Sequence, residues 1–436
     1  MSDKWPKVAL AALSSEVSYG YTESASLDRV GPKFLRITDI QGGRVSWESV
    51  PYCKIQPAEH RRYRLHSGDI VIARTGNSTG ENYCFVESED AVFASYLIRF
   101  RIDPKRAHSR FVYYNLRGSG WWDYVKGAKT GSAQAGANAQ VLGAYSISLP
   151  PLPEQRAIAH ILGTLDDKIE LNRRMCATLE EMARALFKSW FVDFDPVRAK
   201  MEGRETGLPK EIADLFPSRL VDSELGPIPE GWGVQVFADV LALSRQPVDP
   251  QEHPAERFAH YSIPAFDVGM RAAIELGAEI KSQKLLVSDI HVLVSKLNPR
   301  TPRVWLPPAD GGARQIASTE FLVCEPVKSS GYTRLHVYHA AISSRTIEYL
   351  ASNASGTSNS HQRVRPQDFL SYSFPAAGKA VLVAFDCLVA PLHAKIALVR
   401  EEAHSLAALR DTLLPKLISG ELRVPTSLGS MQEIAT

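Results

Sequence analysis

At 436 residues with 44% hydrophobic content, the chain exceeds one ordinary domain and can fill more than one core. A net charge of +2 excludes a uniformly polybasic or polyacidic protein, and five scattered cysteines without a C-x-x-C pair offer neither a zinc site nor a disulfide framework. The opening MSDKWPKVAL has no apolar signal core and no run approaches 18 uninterrupted apolar residues, so a cytoplasmic protein that does not enter the membrane is expected.

From Trp5 to about Pro151, short runs rich in Val, Ile, Phe and Tyr (GPKFLRITDI, SGDIVIART, NYCFVES, AVFASYLIRFRID) alternate with turn residues and predict strands. SRFVYYNLRGSGWWDYV has helical spacing, and Trp121 and Trp122 on it read as core packing. A polar glycine loop, GAKTGSAQAGANAQ, and a strand-like YSISLPPLP close a mixed α+β segment. Residues 1–150 hold 19 Lys+Arg against 14 Asp+Glu, so this segment can face phosphate. After LPPLP the text EQRAIAHILGTLDDKIELNRRMCATLEEMARALFKSWF predicts a helix. Its first turn tolerates proline, and Glu154 suits the positive end of its dipole. About 37 residues at the helical rise give a length on the order of 55 Å.

Residues 193–231, with 5 Lys+Arg against 9 Asp+Glu and with Pro209, Pro217, Pro227 and Pro229 as punctuation, predict a solvated polar linker. The pattern then restarts. IPEGWGVQVFADVL echoes DKWPKVALAAL, and LLVSDIHVLVSKLN echoes RLHSGDIVIARTGN with Asp69-Ile70 on Asp289-Ile290. NASGTSNSHQRV echoes AKTGSAQAGANAQV. The repeat ends in a second heptad ladder: Phe385, Leu392, Val399, Leu406 and Leu413 match Ile158, Leu165, Asn172, Leu179 and Leu186 of the first. A long apolar stripe at period 3.5 requires a partner helix, and each ladder supplies the other's. The expected fold class is α+β: two mixed α/β domains joined by two long helices packed as an antiparallel coiled coil, with a pseudo-two-fold internal repeat. Pro391 removes a hydrogen bond from the second helix, which predicts a kink near Leu388 or a start around Pro391.

The chain has no phosphate loop, no G-x-G-x-x-G and no H-E-x-x-H. Asn298-Pro299-Arg300 lacks the aromatic that would complete an amino-methyltransferase motif. Glu279 with Lys281 and Asp103 with Lys105 have the spacing of a nuclease half-site, but neither recurs in the other half. No catalytic residue and no metal site is expected. The basic and amide-rich stretches form a better pattern. Arg61, Arg62 and Arg64 precede a strand ending in Arg74, Thr75 and Asn77; the second half offers Lys296, Asn298, Arg300 and Arg303 at the matching place. The glycine loops carry Lys129, Thr130, Ser132 and Gln134 in one half and Ser358, Asn359, His361, Gln362 and Arg363 in the other. Arg and Lys neutralise phosphates or fork onto guanine, and Asn and Gln bind adenine edges, so these residues are the candidate DNA contacts.

Together these features resemble the DNA-specificity subunit of type I restriction-modification systems. The most specific matches are LPPLPEQRAIAHILGTLDDKIELNRR running into LFKSWFVDFDPVRAKMEG, the linker SELGPIPEGW and the closing LLPKLISGELRV. The resemblance implies target-recognition domains at 1–151 and 232–378, spacer helices at 152–192 and 379–424, a linker at 193–231 and a tail at 425–436. It implies a non-catalytic reader of a bipartite double-stranded DNA target. Its partners would be two methyltransferase subunits that use S-adenosylmethionine and restriction subunits that translocate with ATP and magnesium; the chain itself would hold no cofactor. The competing reading is a standalone sequence-specific DNA-binding protein, a repressor or architectural factor. It predicts a plainly polar helix surface away from the seam.

Overall fold

A computed structural model describes residues 5–86, 88–130, 137–309, 312–356 and 362–424. The chain divides into two compact units, residues 1–173 with 400–436 and residues 174–399. Strands are numbered in chain order.

In the first unit, β1 (Lys7–Ala9), β2 (Ser14–Tyr19), β3 (Lys33–Leu35), β4 (Asp69–Ala73), β5 (Asn82–Cys84), β6 (Ala91–Phe93), β7 (Leu97–Ile102) and β8 (Ser146–Ser148) form three sheets. The central one is antiparallel with order β2-β7-β4-β5; β1 pairs with β8, and β3 runs parallel to β6. Every residue of β4 is buried, as the apolar run IVIA after Asp69 requires of a strand covered on both faces. Helix Ser109–Asn115 and helix Ser119–Thr130 cover one face through Phe111, Val112 and Trp121, all fully buried.

The second unit opens with a short hairpin of β9 (Leu220–Val221) and β10 (Ile228–Pro229). It then repeats the plan with β11 (Gly233–Val236), β12 (Leu241–Ser244), β13 (Pro247–Val248), β14 (Arg257–Tyr261), β15 (Ala273–Leu276), β16 (Lys284–Leu286), β17 (Val292–Ser295), β18 (Val304–Trp305), β19 (Arg314–Ala317), β20 (Phe321–Pro326) and β21 (Ser373–Ala376). The order β12-β20-β17-β18 matches that of the first central sheet, and β11 pairs with β21 as β1 does with β8. The parallel pair recurs as β14 and β19, here widened to five strands by β13, β15 and β16. The internal repeat is therefore structural.

The repeat aligns differently from the sequence echo. β17 precedes Lys296 as β4 precedes Arg74, so the counterpart of Asp69 is His291, not Asp289. Asp69 pairs with Arg101 at 2.9 Å, whereas His291 lies 3.8 Å from Glu325: the pairing recurs with the acidic residue moved to the other strand.

Two helices, Leu152–Phe191 and Lys379–Ser419, each contribute one half to each unit. In the first unit Glu154 accepts two hydrogen bonds from Arg423 (2.7 and 2.9 Å), Asp166 one from Arg410 (2.7 Å), and Glu402 one from Asn172 (2.9 Å). In the second unit Cys176 meets the Ile396 carbonyl, and the rings of Phe187 and Phe385 meet edge-on. The pairing is antiparallel within each unit. Of the expected seam residues, Ile158, Asn172, Phe385 and Val399 are fully buried; Leu165, Leu179, Leu186, Leu392, Leu406 and Leu413 are half-buried. The deeper ladder lies four residues on, at Leu162, Ile169, Ala183 and Trp190 of the first helix and Val389, Ile396, Ala403 and Leu417 of the second. Together the two ladders make the a and d positions of a heptad seam.

Two expectations are corrected. The second helix begins at Lys379 and runs through Pro391 without interruption, so its start is not set by that proline. Proline removes only its own N–H bond, and on this half-exposed helix the tertiary packing of Val381, Leu382, Phe385 and Val389 outweighs that loss. The polar linker is not wholly solvated, because Phe194, Val197, Phe216 and Ile228 pack with Trp190, Trp232 and Phe385 in one core. The second helix is also long and apolar enough to cross a membrane by length and composition, with a mean hydropathy of 1.8 over its most apolar stretch. Uninterrupted runs missed it because isolated polar residues break the run without lowering the average much.

Candidate nucleic-acid interface

The end of β4 forms a tight frame. The Arg74 N–H donates to the Tyr96 carbonyl (3.1 Å), and the Arg74 carbonyl accepts from the Ala137 N–H (2.8 Å) at the exit of the polar loop. Gly76 and Gly80 take positive φ (69° and 97°), which lets the turn after Thr75 close through the Gly80 N–H to Ala73 carbonyl bond. A Cβ at Gly80 would stand 3.0 Å from Val125, and the Gly80 carbonyl accepts from Trp121 Nε1 (2.9 Å), so the core braces this turn from behind. Trp121 is thus a packing residue. Asn77 is exposed on the turn and Thr75 is half-buried.

The second unit builds the same frame. The Lys296 N–H donates to the Glu320 carbonyl (2.9 Å), and the Lys296 carbonyl accepts from the Val364 N–H (2.9 Å). Ala137 and Val364 are therefore structural equivalents; the sequence echo had set Val364 on Val141. A further bond runs from the Asn298 N–H to the Gln362 carbonyl (2.9 Å), with Asn298 in the left-handed region at φ 48°. The basic strand end and the loop exit, separated by more than sixty residues in each half, are joined by backbone hydrogen bonds in both.

The side chains on the two frames differ. In the first, Arg74 Nε donates to the Ser95 carbonyl (3.1 Å) and the guanidinium lies 5.2 Å from the Tyr19 ring centroid. Tyr19 Oη accepts from the Ala139 N–H (3.1 Å). In the second, Arg363 pairs with Glu320 (2.9 Å), Arg300 is exposed, and Arg303 is held by Asp267 through two bonds of 2.6 and 2.9 Å. With its side chain only 14% exposed and its charge met, Arg303 braces the loop. Lys129 and Thr130 close helix Ser119–Thr130; Ser132, Gln134, Ser358, Asn359 and His361 lie outside the described residues.

Arg61, Arg62 and Arg64 stand exposed at the end of helix Pro57–Tyr63. Arg64 lies 3.4 Å from Asp90, and the carbonyls of Arg62 and Arg64 accept from the buried guanidinium of Arg99. Arg99 also pairs with Glu16, and Arg101 with Glu16 and Asp69. Burial opposes ionisation of Glu16, but Arg99 and Arg101 outweigh it and hold the carboxyl below its ordinary value. No contact joins this arginine group to the Arg74 frame among the described residues.

Sequence spacing did not single out Tyr19, Ser95, Tyr96, Asp267 or Glu320. The usable signal was the repeat itself, since Tyr96 and Glu320 occupy equivalent turns before β7 and β20.

Residues 38–181 match the family model for the type I restriction modification DNA specificity domain. The chain is similar to the HindI specificity subunit of Haemophilus influenzae, a type I restriction enzyme subunit: 29% identical over 233 residues, 51% of this chain and 48% of that protein. The chain thus spans about half the length of that relative. It is 24% identical to the MjaIX specificity subunit of Methanocaldococcus jannaschii over 369 residues, 83% of this chain and 76% of that one. In fold it is similar to the S subunit of a type I restriction-modification system from M. genitalium, with a TM-score of 0.57, 13% identity, and 96% and 97% of the two chains covered.

Proposed function

Because this chain belongs to the DNA-specificity subunits of type I restriction-modification systems, we propose that its two frames each read one part of a bipartite double-stranded DNA target. The observation that carries the reading is one backbone frame built twice with unlike side chains: Arg74 and Tyr96 on the first, Lys296 and Glu320 on the second. Like frames present the strand end in the same way. Unlike side chains then give each half its own sequence, since an arginine fork, a lysine point charge and a carboxylate favour different base edges.

On this reading the chain is a non-catalytic cytoplasmic subunit that positions two methyltransferase subunits and the restriction subunits on DNA. S-adenosylmethionine, ATP and magnesium would serve those partners. The apolar outer surface of the second long helix, where Val383, Leu388, Leu398 and Leu409 are exposed, favours a partner-bound subunit over a standalone repressor, for which a polar surface is expected.

Exchanging residues 232–378 for another recognition domain should change one half of the methylated motif in a host carrying the intact system. Methylation mapping checks this. Alteration of both halves would defeat the two-reader proposal.

A further inference from the structure

Arg74 is held in place before any ligand arrives. Its backbone is bonded on both sides, to Tyr96 and Ala137, its Nε is spent on the Ser95 carbonyl, and its guanidinium lies 5.2 Å from the Tyr19 ring centroid. Among the described residues, its two terminal Nη nitrogens have no hydrogen-bond or ion-pair partner. Arg61, by contrast, stands exposed on a helix surface, and its side chain has no hydrogen-bond or ion-pair partner among the described residues.

The difference matters physically. Attraction between a cation and a phosphate survives a mobile side chain, whereas a paired hydrogen bond to a base edge requires the guanidinium plane to be fixed. Restraints made in the free protein lower the ordering cost at binding. With Nε occupied, Nη1 and Nη2 remain as a pair of donors that matches O6 and N7 of guanine in the major groove.

We infer that Arg74 reads a guanine edge and that Tyr19 is the positioning residue that aims it. The inference rests on the first unit being one of two DNA readers. Tyr19 is suited to the role because its two contacts meet there: its ring faces Arg74, and its hydroxyl takes the N–H of Ala139, which opens the short helix after the polar loop. The ring aims the fork and the hydroxyl fixes the loop exit.

The test is methylation mapping in a host expressing the intact system. The wild type decides the functional reading by itself, since the absence of any bipartite motif would defeat that reading. Arg74→Lys keeps the charge and loses the fork. It should relax one guanine position of the first half-site, with discrimination there falling about 5- to 100-fold, and leave the second half-site intact. An unchanged motif in Arg74→Lys would make Arg74 a phosphate contact and overturn the inference. Tyr19→Leu should relax the same position, and Tyr19→Phe, which keeps the ring, should restore it. Loss of preference in Tyr19→Phe as deep as in Tyr19→Leu would show that the ring is not the aiming group. So would full retention in Tyr19→Leu. If Tyr19→Leu does not fold, as judged by its melting curve, Tyr19→Met replaces it with more of the apolar bulk retained.

Discussion

Asp69 and Arg99 are each only 1% exposed, so neither can rely on water to offset its charge. Asp69 compensates by accepting from the His66 N–H and from Nε and Nη2 of Arg101, with Arg99 3.9 Å away. Removing one member of a buried ionic group leaves the others charged and unpaired, which costs more than the group contributes in net stability. Asp69→Ala should therefore lower unfolding stability by about 3–5 kcal/mol, measured by urea denaturation. A loss below about 1 kcal/mol, within the range of exposed pairs, would mean that water reaches the network.

The helix seam and the helix against it carry their own consequences. Asn172 is fully buried at a seam position; its Nδ2 donates to Glu402, and its Oδ1 has no hydrogen-bond partner among the described residues. An amide there fixes register at a cost in stability. Asn172→Leu should raise the denaturation midpoint by roughly 1–2 kcal/mol of stability, as the unpaired oxygen is removed and Glu402 turns to solvent. A drop would show that the Asn172–Glu402 bond is a net contributor. Helix Arg334–Ala341 places His336 and His339 in the core of the second unit, facing Asp386, His393 and Arg184 with the rings of Phe187 and Phe385. Burial pushes His336 down to about 4 and His339 down to about 3. Both depressed values mean that the unfolded chain binds more protons, so this stability is present above about pH 6.5 and is lost as pH falls toward 4. Burial raises Asp386, which acts in the opposite sense. Denaturation at pH 7 and pH 5 should show a loss of about 2 kcal/mol per histidine, and His339→Gln should flatten that dependence.

At the scale of the whole molecule, periodicity made the repeat, the strands and the long helices legible, because 3.5- and 2-residue periods follow directly from which side chains must meet. The Arg74 and Lys296 strand ends were legible as basic positions that recur. Their surroundings were not, since Tyr19, Ser95 and Asp267 reach them only through sheet pairing and leave no local pattern. The replacement of the acid Asp69 by His291 at the equivalent position also obscured the register of the repeat, because position recurs there and residue identity does not. That last point bears on how such a chain can change. At each strand end the bonds that hold the chain are made by backbone N–H and carbonyl groups, which a substitution short of proline at Arg74, Tyr96, Lys296 or Glu320 preserves. Tyr96 is 58% exposed, and Glu320 holds its place in the other unit without altering those bonds. On the proposed reading, new preferences can therefore arise by single replacements that pass through folded proteins, and one half can change while the other stays as it was.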